Sequence, residues 1–231
     1  MKREIIVVSM IFVCWVMLST RAQAEMFYFK SITNNTAADA AAGEAQLSVE
    51  VSDPGDGKVL FTLKNDVGEA SSITDVYFDD GTLLGVSSFV GSSGVSFSQP
   101  AAPPDLSGGN GIVPKFDVTS NWSFDADSSG GGVYSNGVNT TAEYLNIYYT
   151  LETGKTVADV INAINIGNRP DLYYDPITEL WDYDDVLRIG LHVQGFDGGG
   201  SESFVTTPIP TSVIIGLLGM GVAGIKLRKF A

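Results

Sequence analysis

Along most of the chain apolar residues recur at every second position, the period of a half-buried strand. Ala45-Gln46-Leu47-Ser48-Val49-Glu50-Val51 alternates strictly, Asp53-Pro54-Gly55-Asp56-Gly57 supplies turn residues, and Val59-Leu60-Phe61-Thr62-Leu63 resumes the alternation. That is a hairpin pattern. A second hairpin is predicted from residues 72–78 through Asp79-Asp80-Gly81 to residues 83–86. Shorter strands are marked by Phe27-Tyr28-Phe29, Val95 with Phe97, Phe116-Asp117-Val118, Trp122-Ser123-Phe124 and Ser203-Phe204-Val205. Residues 143–151 set Leu145, Ile147, Tyr149 and Leu151 on one side and Tyr144, Asn146 and Tyr148 on the other. Residues 187–196 turn Ile189, Leu191 and Val193 inward. The period changes once, where Val157, Val160, Ile161 and Ile164 recur at helical spacing. Thr156 can cap that helix with Asp159 three residues on, and Gly167 can end it. Many short strands and one helix predict a mainly β domain, an antiparallel β-sandwich of the jelly-roll kind. Residues 99–114 are too rich in proline and glycine for regular structure, and a long loop in a compact domain is either functional or mobile.

The two ends follow other rules. Lys2 and Arg3 precede an apolar run over residues 5–18, and Ala22-Gln23-Ala24 follows, which predicts a signal peptide cleaved after Ala24. Cys14, the only cysteine, lies inside that run, so residues 25–207 have no disulfide and no thiol. Val13 before it and Trp15 after it argue against lipid attachment. At the other end come Pro208 and Pro210, an uncharged segment over residues 211–225, and then Lys226, Arg228 and Lys229. The segment is short against the roughly 20 residues of a membrane span, and snorkelling basic side chains bring it into range. Gly216, Gly219, Gly221 and Gly224 give such a helix a thin surface for close packing.

A Pro-x-Pro motif, an apolar glycine-bearing helix and a terminal basic cluster in that order resemble the PEP-CTERM sorting signal. The resemblance covers residues 208–229, with Pro208-Ile209-Pro210 where the family has Pro-Glu-Pro. It implies processing by an exosortase, a membrane cysteine protease, on the way to the surface of a bacterium that makes exopolysaccharide. An ordinary C-terminal anchor is the plainer alternative. SITDVYFDDGTLLG (72–85), LRIGLHVQGF (187–196) and GGSESF (199–204) resemble segments of PEP-CTERM proteins of unassigned activity. The chain thus divides into a signal peptide (1–24), an exported domain (25–207) and a sorting tail (208–231).

Charge sharpens this picture. The whole chain carries a formal −14, but residues 25–207 hold seven basic and 26 acidic residues, near −19. Such a field repels nucleic acid and anionic membrane surfaces. It suits divalent cations.

Candidate chemistry is sparse. His192, the only histidine, falls on the strand face opposite Ile189, Leu191 and Val193, outward with Arg188 and Gln194. No Gly-x-Ser-x-Gly elbow accompanies it. Gly154-Lys155-Thr156 imitates the end of a phosphate loop, yet Tyr149 stands where its first glycine belongs, so it reads as a turn and cap. Paired carboxylates could serve a glycoside hydrolase, but among 26 acidic residues proximity proves nothing. Asp125, Asp127 and Ser129 with Gly130 open like a calcium loop, with Asn136 where the bidentate glutamate should stand; an ordinary turn is the alternative. Asp79-Asp80-Gly81 and Asp182-Tyr183-Asp184-Asp185 read as solvated turns. Tyr173, Tyr174, Trp181 and Tyr183 form either a sugar-stacking platform or an apolar plug at a sheet edge. The expectation is a non-catalytic surface or matrix protein with no obligate cofactor. Its expected partners are an exosortase-type protease, exopolysaccharide and, before processing, the membrane. A carbohydrate-binding module is the alternative, and a secreted hydrolase a more distant one.

Overall fold

In the computed structural model, residues 24–66, 68–80, 84–169, 174–175, 180–181 and 185–207 are described. The segment through Gln23 predicted to be a signal peptide and the tail at 208–231, with Ala22, Pro208, Pro210, Lys226, Arg228 and Lys229, lie outside them, as do Tyr173 and Tyr183. Among the described residues no helix is long and apolar enough to cross a membrane.

The period-two segments form strands β1 (Ala24–Ser31), β2 (Leu47–Ser52), β3 (Lys58–Asn65), β4 (Ser72–Asp80), β5 (Leu84–Gly91), β6 (Phe97–Ser98), β7 (Ser123–Ala126), β8 (Leu145–Leu151), β11 (Leu187–Gln194) and β12 (Ser201–Thr207). They make one antiparallel sheet in the order β5-β8-β3-β2-β1-β12-β11-β4-β7-β6. Two further short strands, β9 (Tyr174–Asp175) and β10 (Leu180–Trp181), pair only with each other. The domain is therefore mainly β, as its pattern requires. The two stacked sheets expected of a jelly roll are instead one continuous sheet, because β1 pairs with β2 on one side and with β12 on the other.

Twist rolls that sheet nearly into a barrel. Phe61 on β3 meets Phe78 on β4 edge-to-face at 5.2 Å, and Phe89 on β5 meets Phe124 on β7 at 5.2 Å. These strands stand far apart in the sheet order, so contact between them requires the two halves to face each other. Tyr149 closes the cluster, 5.1 Å from Phe78 and 5.0 Å from Trp122. The helix α3 (Val157–Gly167) adds Val160, Ile161 and Ile164 to the same core. Thr156 and Asp159 form the predicted capping box, worth about 1 kcal/mol. Gly167 is its last helical residue, packed where a Cβ would lie 2.5 Å from the Leu187 carbonyl oxygen.

Other expectations change for stated reasons. The first hairpin forms, with Asp53 Oδ1 accepting the Gly55 N–H at 2.8 Å and Gly55, Asp56 and Gly57 all at positive φ. The second does not: β4 pairs with β11 and β7, and β5 pairs with β8. Every residue of β4 is buried, so distant strands on both sides outcompete the local turn. Asp79 and Asp80 are accordingly buried rather than solvated. Ala45 and Gln46 belong not to a strand but to the helix α1 (Ala37–Gln46), where consecutive alanines favour helix. One turn of helix, α2 (Val133–Asn136), follows the second glycine-rich stretch. Phe116-Asp117-Val118 is no strand; it belongs to a cover on the sheet's outer face.

Candidate functional site

The neighbouring strands β4 and β11 present three facing pairs on their outer side: Asp75 with His192, Tyr77 with Gly190, and Asp79 with Arg188. A register shift between His192 and Val193 leaves Thr74 as the extra residue on β4. Its hydroxyl donates to Asp75 Oδ2 at 2.8 Å and to the His192 carbonyl at 3.2 Å, so the bulge is tied to the pair it displaces.

The long proline- and glycine-rich loop lies over this strip. Ala101, Leu106 and Phe116 join Tyr77 and Val205 in a second apolar cluster outside the main core. Gly190 makes the landing possible, since a Cβ there would stand 2.7 Å from Leu106 Cδ2 and 3.0 Å from Phe116 Cζ. Arg188, expected outward, is only 3% exposed. It pairs with Asp79, donates to the carbonyls of Pro114 (2.9 Å) and Lys115, and lies 5.3 Å from the centre of the Phe116 ring. Covering a charge is tolerated only when it is paired and hydrogen-bonded, and Arg188 meets that condition. Burial pushes the Asp79 carboxyl up, while Arg188 and the Asp117 N–H (3.2 Å) pull it back without cancelling the rise.

At the other end of the strip, His192 Nδ1 lies 3.1 Å from Asp75 Oδ2 and 3.3 Å from Gln194 Nε2. The Tyr77 hydroxyl donates to the Pro103 carbonyl at 3.1 Å; burial and then the Asp75 charge push it well above the ordinary phenol range. Asp75, Asp105, Ser107, Asp125, His192 and Gln194 line a cavity of about 140 Å³. Small-ligand sites span roughly 300–1,000 Å³. Among the described residues Ser107 lines the same cavity and makes no hydrogen bond to His192.

A larger hollow of about 530 Å³ opens beside Asp79, lined also by Asp80, Lys115, Asp117 and Thr119. Two of its acids are engaged: Asp79 with Arg188, and Asp117 with Lys115 at 3.4 Å.

The residues of the calcium-like loop serve separate partners. Asp125 accepts from Ser98 Oγ at 2.7 Å at the sheet edge. Asp127 accepts the Ser129 N–H at 2.8 Å, a bond that lowers its carboxyl below the ordinary value. Asn136, at the glutamate position, donates its amide to the carbonyls of Asp127 and Ser129, both at 2.6 Å. Among the described residues no group of three or more His, Cys, Asp or Glu side chains is arranged to hold a metal ion. Of the aromatic quartet, Trp181 and Tyr174 pair in register across β10 and β9. Ala24, at the expected cleavage site, opens β1 opposite Ser52.

Alternation alone did not single out Asp75, Tyr77 or Asp79, although all three lie in SITDVYFDDGTLLG. Four polar or aromatic residues in succession before a glycine, Tyr77 to Asp80, was the available signal. No protein-family model, no curated protein and no solved structure matches the chain.

Proposed function

We propose that the chain is a non-catalytic exported protein, delivered by a PEP-CTERM and exosortase-type system to the cell surface or exopolysaccharide matrix. The observation that carries this reading is the order at the C-terminus: Pro208 and Pro210, an uncharged glycine-bearing segment, then Lys226, Arg228 and Lys229. Export is supported by Lys2, Arg3 and the apolar run before Ala22 and Ala24. The absence of a catalytic role is supported by His192, held by Asp75 in a cavity of about 140 Å³, and by the commitment of Asp79 to Arg188.

Intact mass of the protein from culture medium and from membranes, in cells with and without the exosortase, tests the reading. Loss of about the last 20 residues in the wild type alone is the expected result; an intact C-terminus in both strains would make the tail a plain anchor. A second reading, a carbohydrate-binding module, draws on the register of Tyr174 with Trp181 beside Tyr173 and Tyr183. Titration with exopolysaccharide while following tryptophan fluorescence distinguishes it, and an unchanged spectrum counts against it. Calcium at Asp125, Asp127 and Ser129 belongs to this proposal only as an accessory ion.

A further inference from the structure

Residues 81–104 contain no Asp, Glu, Lys or Arg, the longest such run in the chain, although the exported domain is near −19. That run supplies both strands that end the sheet, β5 and β6. β5 is bonded on one side, to β8, and among the described residues no other strand or helix lies along it. Among the described residues its second side thus offers backbone donors and acceptors without strand partners. Proteins ordinarily guard such edges with lysine, proline or an inward charge. β5, reading Leu84-Gly85-Val86-Ser87-Ser88-Phe89-Val90-Gly91, has none of these. Its one irregularity, a register shift between Leu84 and Ser87, leaves the following residues regularly paired.

The adjoining strand β8 carries no charged residue, with Glu143 before it and Glu152 after it. Ser88 stands opposite Tyr148 and Val90 opposite Asn146, and Val90 is 59% exposed. Tyr144, at the same end, is also exposed.

We propose that this free edge pairs with the same edge of a second copy, antiparallel about a two-fold axis, so that the sheet continues from one molecule into the next. Two copies this acidic repel each other over most of their surfaces. Along β5 the repulsion is weakest and unpaired backbone groups are offered. A strand edge is self-complementary about a two-fold axis. A basic partner would instead be drawn to the carboxylates.

Sedimentation of the full chain in mild detergent, across a concentration series, tests this with two variants. The wild type is expected to dimerise, more tightly as salt rises, because salt screens like charges. Val90→Lys puts a lysine on the edge of each copy, the guard that such edges ordinarily carry, and is expected to weaken dimerisation about tenfold or more. Val90→Thr keeps a β-branched residue and is expected to stay within about twofold of the wild type. Val90 is exposed, so unchanged melting curves will show both variants folded. All three proteins keep the same tail, so a difference between the variants belongs to β5. A wild type that is monomeric at every concentration, or a Val90→Lys variant that dimerises like the wild type, would overturn the proposal.

Discussion

Glu202 shows how a single acidic residue becomes structural in this domain. It is 1% exposed, and it accepts from Thr33 Oγ1 at 2.5 Å, the Thr36 N–H at 2.7 Å and Ser31 Oγ at 3.3 Å. Burial pushes its carboxyl up, but these donors with the Asn35 N–H outweigh it and hold it below the ordinary value. A depressed folded-state value means that the stabilisation is present above the unfolded carboxyl range, about pH 4.3. It is lost as pH falls through the lower, folded value. Glu202→Gln keeps the shape and removes the charge, leaving some donors poorly matched. It should cost about 1–3 kcal/mol at neutral pH, with the gap to wild type narrowing toward acid. Urea melts at neutral and acid pH check this; a gap that widens toward acid would contradict it. Gln46 plays the same part without charge, its amide donating to Asn65, Ser71 and the Glu69 carbonyl and accepting from two backbone N–H groups.

Among elements, the cover over the strip formed by β4 and β11 is the part whose fate hangs on one position. Leu106 and Phe116 land where Gly190 has no side chain. Backbone flexibility is not the reason for the glycine; the space is. Gly190→Val therefore should lift the cover while the main core, which uses the other face through Ile189 and Leu191, stays packed. Lys115 is the only Lys or Arg in the cover and makes the test local. Trypsin should cut after Lys115 in the variant about tenfold faster than in the wild type, with the far-ultraviolet spectrum preserved. Equal cutting rates would mean that the apolar contacts do not hold the cover down.

The whole molecule carries an imbalance that no local pair repairs. Seven basic residues face 26 acidic ones between residues 25 and 207, and the most deeply buried ion pair is spent on anchoring the cover through Arg188. Self-repulsion on this scale destabilises the compact state and is screened within about 10 Å at 0.1 M salt. The melting temperature should therefore rise with sodium chloride over the first few tenths molar. Thermal melts in a salt series measure it. A flat profile would place the carboxylates too far apart for their repulsion to matter.

Alternation in the sequence determined most strands, the hairpin around Asp53-Pro54-Gly55-Asp56-Gly57, and the capped helix from Val157, because each depends on neighbours a few residues away. Sheet order was not legible, since β4 finds β11 more than a hundred residues on and alternation says only which residues face inward, not which strand lies beside them. Burial on the other face was equally hidden. His192 and Arg188 alternate as surface residues do; the pairing of β4 with β11 brings Asp75 to His192, and the long loop folded over Arg188 makes it a buried cation. Tertiary structure decided these roles because the energy of covering a charge depends on the partners brought to it, and Asp75, Asp79 and the carbonyls of Pro114 and Lys115 arrive from distant parts of the chain.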